Sequence, residues 1–530
     1  MTRIKLVRRA FLVAALGALA GLPLATPRAN AQTLPPPAAT NPADTAEAAT
    51  GAQDDRPTTT NANAPAREPD LIDALRGGQG GLTADQVAAL AETTAPSVAR
   101  AEAALNSARA GAARALLGIL PVIDLSARYT RLSRVPTPSF GTTLTPEQVA
   151  MAQAAVDAVT DPAARGLFQA NLDGQQVSLS FPIVLDQYVL HAGLTWPVSD
   201  IFFSILPSYH AMEALADSSA EQLEAQHQTV ALQAREAFYS YARARAASLV
   251  AELMVRQTEA HRADIAAFVE AGTAAPVDLM RMDAQLAATR VAMARANGGV
   301  ATAAVGLRSL MHVEPARDLP IGENLLADAA PVTQTREQLV DSAMSHHAEM
   351  RALRRLVAAR EHLVSARSGT RLPHLAVSAN ADYANPNQRI FPQRAQFQGS
   401  WDVSAILSWS PNSLFTGGQD RNVAESDLAQ ARADLAALED GLRLEVSQSY
   451  EGYIAAREAL LAARTGVAAA EESYRVRLER FHAGAAVTSD LLDADSELTR
   501  SRLDLINAAV DLRIAEARLR RASGESIRAQ

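Results

Sequence analysis

From residue 213 to residue 270 the chain contains neither proline nor glycine. Leu215, Leu223, Val230, Phe238, Tyr241, Leu249 and Leu253 recur there at spacings near multiples of 3.5. Such a run predicts one continuous helix of about 85 Å at 1.5 Å per residue, longer than a globular domain can use. A second stretch, 419–482, carries Leu435, Leu438, Leu442, Val446, Tyr450 and Tyr453, spaced by 3, 4, 4, 4 and 3, with mixed charges on its other faces. That is coiled-coil spacing. Four shorter helical stretches are expected at 84–118, 276–311, 335–370 and 488–522. Two of them end to end match one long helix, so each long helix can lie beside a stacked pair. Aromatic residues are only 5% of the chain, and small alanine-rich faces let such helices approach closely.

The sequence also repeats itself. Leu120-Pro121 is matched 252 residues later by Leu372-Pro373, and Ser126-Ala127 by Ser378-Ala379. Trp196 is matched by Trp409 at an offset of 213. Phe238, Tyr241 and Arg245 are matched by Tyr450, Tyr453 and Arg457 at 212. At that same offset Ala271-Gly272 falls on Ala483-Gly484 and Asp278-Leu279 on Asp490-Leu491. The fall from 252 to 212 places one 40-residue insertion between Tyr129 and Trp196, with Pro136, Pro138, Gly141 and a helical run from Pro146 to Ala158. One order of matches with one localised insertion indicates an internal duplication. The expected organisation is a first repeat at 69–311 (helix, two strands with a long loop 130–189, long helix, short helix), a connector at 312–334, a second repeat at 335–522 and a tail at 523–530.

Between the helices lie alternating segments. Ile123, Leu125, Ala127 and Tyr129 are apolar, while Asp124, Ser126, Arg128 and Thr130 are polar. The pattern recurs in Leu375–Tyr383, in Trp401–Trp409, and in either Val177–Phe181 or Leu190–Trp196. Tyr129, Trp196, Tyr383, Trp401 and Trp409 lie near segment ends, where interfacial aromatics belong. An ordinary half-buried antiparallel sheet has the same period. Amphipathic strands of about 9–11 residues with end aromatics also fit a transmembrane β-barrel, in which every backbone donor is paired inside lipid. Four strands cannot close a barrel, so this second reading requires several copies of the chain.

Residues 1–31 fit a secretory signal: Arg3, Lys5, Arg8 and Arg9, an apolar run from Ala10 to Leu22, then Ala29-Asn30-Ala31. Residues 32–68, rich in Pro, Ala, Thr and Asn, are expected to be a disordered leader. Removing the signal takes five positive charges from a formal net charge of −9, giving −14. An acidic chain without a Lys/Arg-rich block is a poor nucleic-acid binder. There is no cysteine, which excludes disulfides, thiolate metal sites and a lipidated N-terminal cysteine.

With this order of motifs, the chain from about residue 84 to residue 520 resembles the TolC-like outer-membrane efflux protein family. The marks are the two Ala-Gly-x5-Asp-Leu segments, 271–279 and 483–491, and the duplicated Leu-Pro strand starts. The resemblance implies a mostly α fold with a membrane β part. Long coiled-coil helical hairpins would form a periplasmic α-barrel, and four strands per subunit would contribute to one transmembrane β-barrel of a homotrimer in outer-membrane lipid. It further implies that the helix tips with Ala271, Gly272, Asp278, Leu279, Ala483, Gly484 and Leu491 engage a periplasmic adaptor of the membrane fusion type. The adaptor in turn serves an inner-membrane transporter of RND, ABC or MFS type. Asp490 and Asp493 match the acidic positions that line the family's closed entrance. The basic residue often found two places after the second glycine is replaced by Ala486.

No catalytic arrangement, cofactor motif or metal spacing stands out. His346-His347 point to different sides of a helix, and Gly77-Gly78-Gln79-Gly80-Gly81 lacks the Lys-Ser/Thr of a phosphate loop and reads as linker. The expected function is a passive exit duct of a tripartite efflux pump or type I secretion system, not an enzyme. The alternatives are a periplasmic coiled-coil adaptor or scaffold without a pore, and a stand-alone porin.

Overall fold

The computed structural model describes residues 78, 80–134, 139–140, 144–175, 179–180, 184–314, 319–327 and 331–527. The expected signal peptide 1–31 and leader 32–68, with Pro136, Pro138 and Gly141, lie outside the described residues.

The two long helices, α5 (Leu206–Glu270) and α9 (Ser413–His482), have 65 and 70 residues. Each begins several residues before the apolar pattern does. A π-helical turn, Ile201–Ile205, leads directly into α5, with Pro207 just after the junction. The short helices are α1 (Ala84–Thr94), α2 (Pro96–Leu117), α6 (Pro276–Met311), α7 (Arg336–His346), α8 (Ala348–Gly369) and α10 (Thr488–Ala522).

The stretches 84–118 and 335–370 are therefore not single helices. The first breaks at Ala95, which is extended because Pro96 follows it. The second breaks at His347 without a proline. Here Gly524, at φ +77°, lies so close that a Cβ on it would meet the His347 nitrogen at 2.8 Å. The chain leaving α10 thus presses into the break. At the first break, Thr94 Oγ1 donates to the carbonyl of Met311, the last residue of α6, at 3.1 Å. Both breaks occur where the second short helix of the same half ends.

Apolar stripes on these helices close over three cores. One joins α1, α5 and α6 around Phe238, Leu307 and Met311. Another joins α7, α9 and α10 around Leu442, Val446 and Tyr453. The connector belongs to the first core: Leu319 and Leu325 are buried, Tyr241 Oη donates to the Leu319 carbonyl at 3.1 Å, and Glu323 accepts from the Ala84 nitrogen at the start of α1. The glycine run expected as linker is pinned to it. Leu82 N–H donates to the Pro320 carbonyl at 2.7 Å, and Gly81 and Gly322 meet so closely that neither has room for a Cβ.

Four strands form one antiparallel sheet in the order β1 (Val122–Arg131), β4 (Asp186–Trp196), β5 (His374–Asn385), β6 (Gln398–Ser408). The open choice for the second strand resolves to the segment ending at Trp196. The segment expected as a long loop at 130–189 contains a two-residue ladder, β2 (Ser139–Phe140) with β3 (Leu179–Ser180), and two helices, α3 (Pro146–Asp157) and α4 (Pro162–Gln175). Thr145 caps α3 in a reciprocal box with Gln148. Only the first of these helices was legible, because α4 starts at a second proline, Pro162, and buries a single side chain, Leu172.

Candidate functional site

The sheet register sorts the side chains onto two faces. Ile123↔Leu194, Leu125↔Ala192, Ala127↔Leu190 and Tyr129↔Tyr188 pair across β1 and β4. Leu190↔Tyr383 and Trp196↔Val377 continue that face onto β5, and Ala381↔Trp401, Ala379↔Val403 and Leu375↔Leu407 carry it to β6. It is apolar except at the end far from the helices, where Arg131 pairs with Asp186 and Asn385 lies opposite Tyr188, and it is bare: Leu125 is 76%, Trp401 77% and Leu407 70% exposed. The opposite face carries Asp124, Ser126, Arg128, His191, Asn380, Asp382, Asp402 and Ser404, with Val122 and Ile406 as apolar exceptions near the helix end. Yet on β4, β5 and β6 that polar face is the more covered one, with Ser378 at 8% exposed, while on β1 both faces are exposed. In water this is inverted; a sheet that shows its apolar side outward expects a hydrocarbon solvent there.

Aromatics mark both ends of the apolar face. At the end far from the helices, the Tyr129 and Tyr188 rings lie 5.0 Å apart, Tyr188 and Phe397 6.1 Å, and Tyr383 stacks on Phe397 at 5.2 Å. At the helix end, Trp196 Nε1 donates to the Ile119 carbonyl at 2.9 Å, and Trp409, one residue past β6, donates to the Arg371 carbonyl at 3.3 Å. Ile119 and Arg371 are themselves 252 residues apart, so the two halves anchor their tryptophans alike. Trp401 sits between the two levels. Tyr188 and Phe397 were missed from the sequence, Tyr188 because its strand was ambiguous and Phe397 because it precedes the alternation.

At the other end of the long helices, two turns join α5 to α6 and α9 to α10. Each is closed in the same way. Gly272 N–H donates to the Val269 carbonyl and Thr273 N–H to the Phe268 carbonyl; Gly484 N–H donates to Phe481 and Ala485 N–H to Arg480. These are Schellman caps, which place the glycine in the left-handed region, here at φ +74° and +70°. Asp278 and Asp490 then lie in the first turns of α6 and α10, at the positive ends of the helix dipoles.

The tips are not uniformly open. Ala271, Gly272, Ala483 and Gly484 are exposed, whereas Leu491 is buried with Ile265, Met282 and Phe481 in a small tip core against which Leu279 and Ala486 pack. Leu491 therefore holds the two turns together instead of standing on the surface. The large apolar side chains standing free at the tips are Val277, Met280 and Val487, none of which the repeat pattern selects. Asp490 and Asp493 are both exposed, three residues apart on one side of α10. Asp278 lies 3.7 Å from Arg281.

Just behind this acidic pair, Asp495 is 2% exposed and its Oδ1 has no hydrogen-bond partner. Burial pushes its carboxyl up to about 6, against the pull of Arg502. On the neighbouring helices His261 is buried with Nε2 2.8 Å from Tyr474 Oη, and burial lowers its pKa. The tip thus holds two buried ionisable groups, both favoured in their neutral forms. The resemblance selects Asp490 and Asp493 and not Asp495, but nothing in the sequence marks Asp495 as buried, since all three lie within one helical turn and a half. Among the described residues, no group of three or more His, Cys, Asp or Glu side chains is arranged to hold a metal ion, and no helix is long and apolar enough to cross a membrane.

Comparison with known proteins agrees with this geometry. Residues 339–525 match the family model described as outer membrane efflux protein. The chain is 24% identical over 274 residues to outer membrane efflux protein BepC of Brucella suis biovar 1 (strain 1330), covering 51% of this chain and 57% of BepC. It is 29% identical over 323 residues to protein CyaE of Bordetella pertussis (strain Tohama I), covering 59% of this chain and 66% of CyaE. Both matches thus span less than two thirds of the curated relative. The solved outer-membrane channel OprN superposes with a TM-score of 0.64 at 17% identity, covering 86% of this chain and 96% of OprN. Mostly helical with one four-stranded antiparallel sheet, the described chain has the fold of the TolC-like channels, and residues 339–525 carry the mark of the outer membrane efflux proteins.

Proposed function

We propose that this chain is one subunit of an outer-membrane exit duct, a passive channel for an efflux pump or a type I secretion system. The observation that carries the reading is the bare apolar face of the sheet, bounded by aromatics at both ends, on a fold shared with solved outer-membrane channels. The sheet ends in two unpaired strands, β1 and β6. Unpaired edges cannot remain in lipid, so copies of the chain join β1 to β6 and close a barrel. Three copies, the family's number, bring twelve strands together, and α5 and α9 carry the duct through the periplasm.

In this reading the tips meet a periplasmic adaptor through the turns at Gly272 and Gly484 and the exposed Val277, Met280 and Val487. An inner-membrane transporter supplies the energy. Asp490 and Asp493 of each copy stand around the entrance and give it a negative potential that favours cations. The test is single-channel recording in a planar bilayer with protein purified from membranes. Mostly closed, cation-selective channels are expected, with Asp490→Ala, Asp493→Ala opening further or losing cation preference. A soluble protein that forms no channel would sink the duct and favour a periplasmic scaffold.

A further inference from the structure

The polar face of the sheet carries a second charged site, far from the helix tips. The turn between β5 and β6 does not extend away from the sheet. Asn387 is buried; its Nδ2 donates to the Gln398 carbonyl and to Ser400 Oγ, both at 3.0 Å, and its Oδ1 accepts the Arg389 N–H at 3.0 Å. This lock points the Arg389 side chain back over the polar face. Its guanidinium lies 2.6 Å from Asp402 Oδ1 and 3.9 Å from Asp382 Oδ2. Each carboxylate has a further partner: His191 Nδ1 lies 2.7 Å from Asp382 Oδ1, and Asn380 Nδ2 donates to Asp402 Oδ2 at 3.0 Å. Three strands and one turn therefore converge on one guanidinium held between two acids.

These groups remain partly exposed, with Arg389 at 49% and Asp402 at 32%, so they meet whatever fills the space over this face. We propose that Arg389 sets the ion selectivity of the barrel part of the duct by cancelling the field of Asp382 and Asp402. This rests on the duct reading, in which the polar face lines the pore. Without the guanidinium, Arg128 would be left on this face against Asp382, Asp402 and Asp124, the last in the same cross-strand row as Asp402, and the barrel lumen would concentrate small cations.

The test is the reversal potential of single channels under a tenfold KCl gradient, in an Asp490→Ala, Asp493→Ala background that removes the entrance carboxylates. Arg389→Gln is expected to raise the potassium-to-chloride permeability ratio roughly twofold or more, and Arg389→Lys to keep the original ratio. Should Arg389→Gln fail to assemble, Asp402→Asn gives an independent reading, with a shift towards chloride from the unbalanced arginine. Unchanged ratios in Arg389→Gln, or in Asp402→Asn where only that variant assembles, overturn the proposal while leaving the duct intact. No channels from the parent protein overturn the duct reading instead.

Discussion

The two ends of the molecule handle apolar side chains in opposite ways. At the helix tips, Ile265, Met282, Phe481 and Leu491 turn inward and exclude water, as in a small soluble domain. In the sheet, Leu125, Leu190, Trp401 and Leu407 turn outward, and on β4, β5 and β6 the less exposed side is the one with hydroxyls and carboxylates. One chain thus carries two solvent assumptions. The difference teaches that burial alone does not locate a core: the sheet's apolar layer is complete only when something other than water covers it.

The largest effect is expected from forcing a charge onto the outward face. Leu125→Arg should cost about 2–4 kcal/mol per subunit at mid-membrane depth and abolish assembly, while the neighbouring Ser126→Arg is tolerated because its side chain points the other way. The readout is the membrane-extracted yield of assembled protein; equal yields for the two variants would erase the distinction between faces. Next, Ile265→Ala opens a cavity in the tip core and should destabilise it by about 3 kcal/mol. Hydrogen exchange should show faster opening confined to the ends of α5, α6, α9 and α10, with the sheet unchanged. A global loss of protection would mean that the two ends are not independent.

The smallest effect concerns Asp495. Its folded pKa of about 6 stands above the ordinary value of 3.8, so the folded tip holds a proton more tightly than the unfolded chain. Stability should therefore fall as pH rises from about 4 to about 6 and then stay lowered. Asp495→Asn should stabilise the tip at neutral pH by at most about 3 kcal/mol and do nothing below pH 4. His261 works in the other direction, since burial lowers its pKa and acidification through its unfolded value loosens the tip. Tip opening measured against pH in His261→Gln and Asp495→Asn separates the two contributions.

How much of this was legible depended on the range of the interactions involved. Periodicity of 2 and 3.5 is local, so three of the four long strands and both long helices could be read directly, and the boundaries of α6 and α10 coincide with those expected. The break at Ala95 was signalled by Pro96 but masked by the alanine-rich helix on both sides. The break at His347 had no local signal, since it depends on Gly524, far along the chain. Arg389 was equally hidden: its place over Asp382 and Asp402 follows from the Asn387 lock, which only the fold assembles. For the tips, the family resemblance selected Asp490 and Asp493, but burial is what sets Asp495 apart.

The central claim is that one face of the sheet lies against lipid and the other against water, and the absence of cysteine allows it to be read residue by residue. Single cysteines placed at positions 122 to 130, spin-labelled in the reconstituted protein, would be compared for collision with dissolved oxygen and with a water-soluble nickel chelate. The account predicts strict alternation, with oxygen favoured at 123, 125, 127 and 129 and the chelate favoured at 124, 126 and 128. Uniform access of the chelate at every position would contradict it and leave the sheet in water.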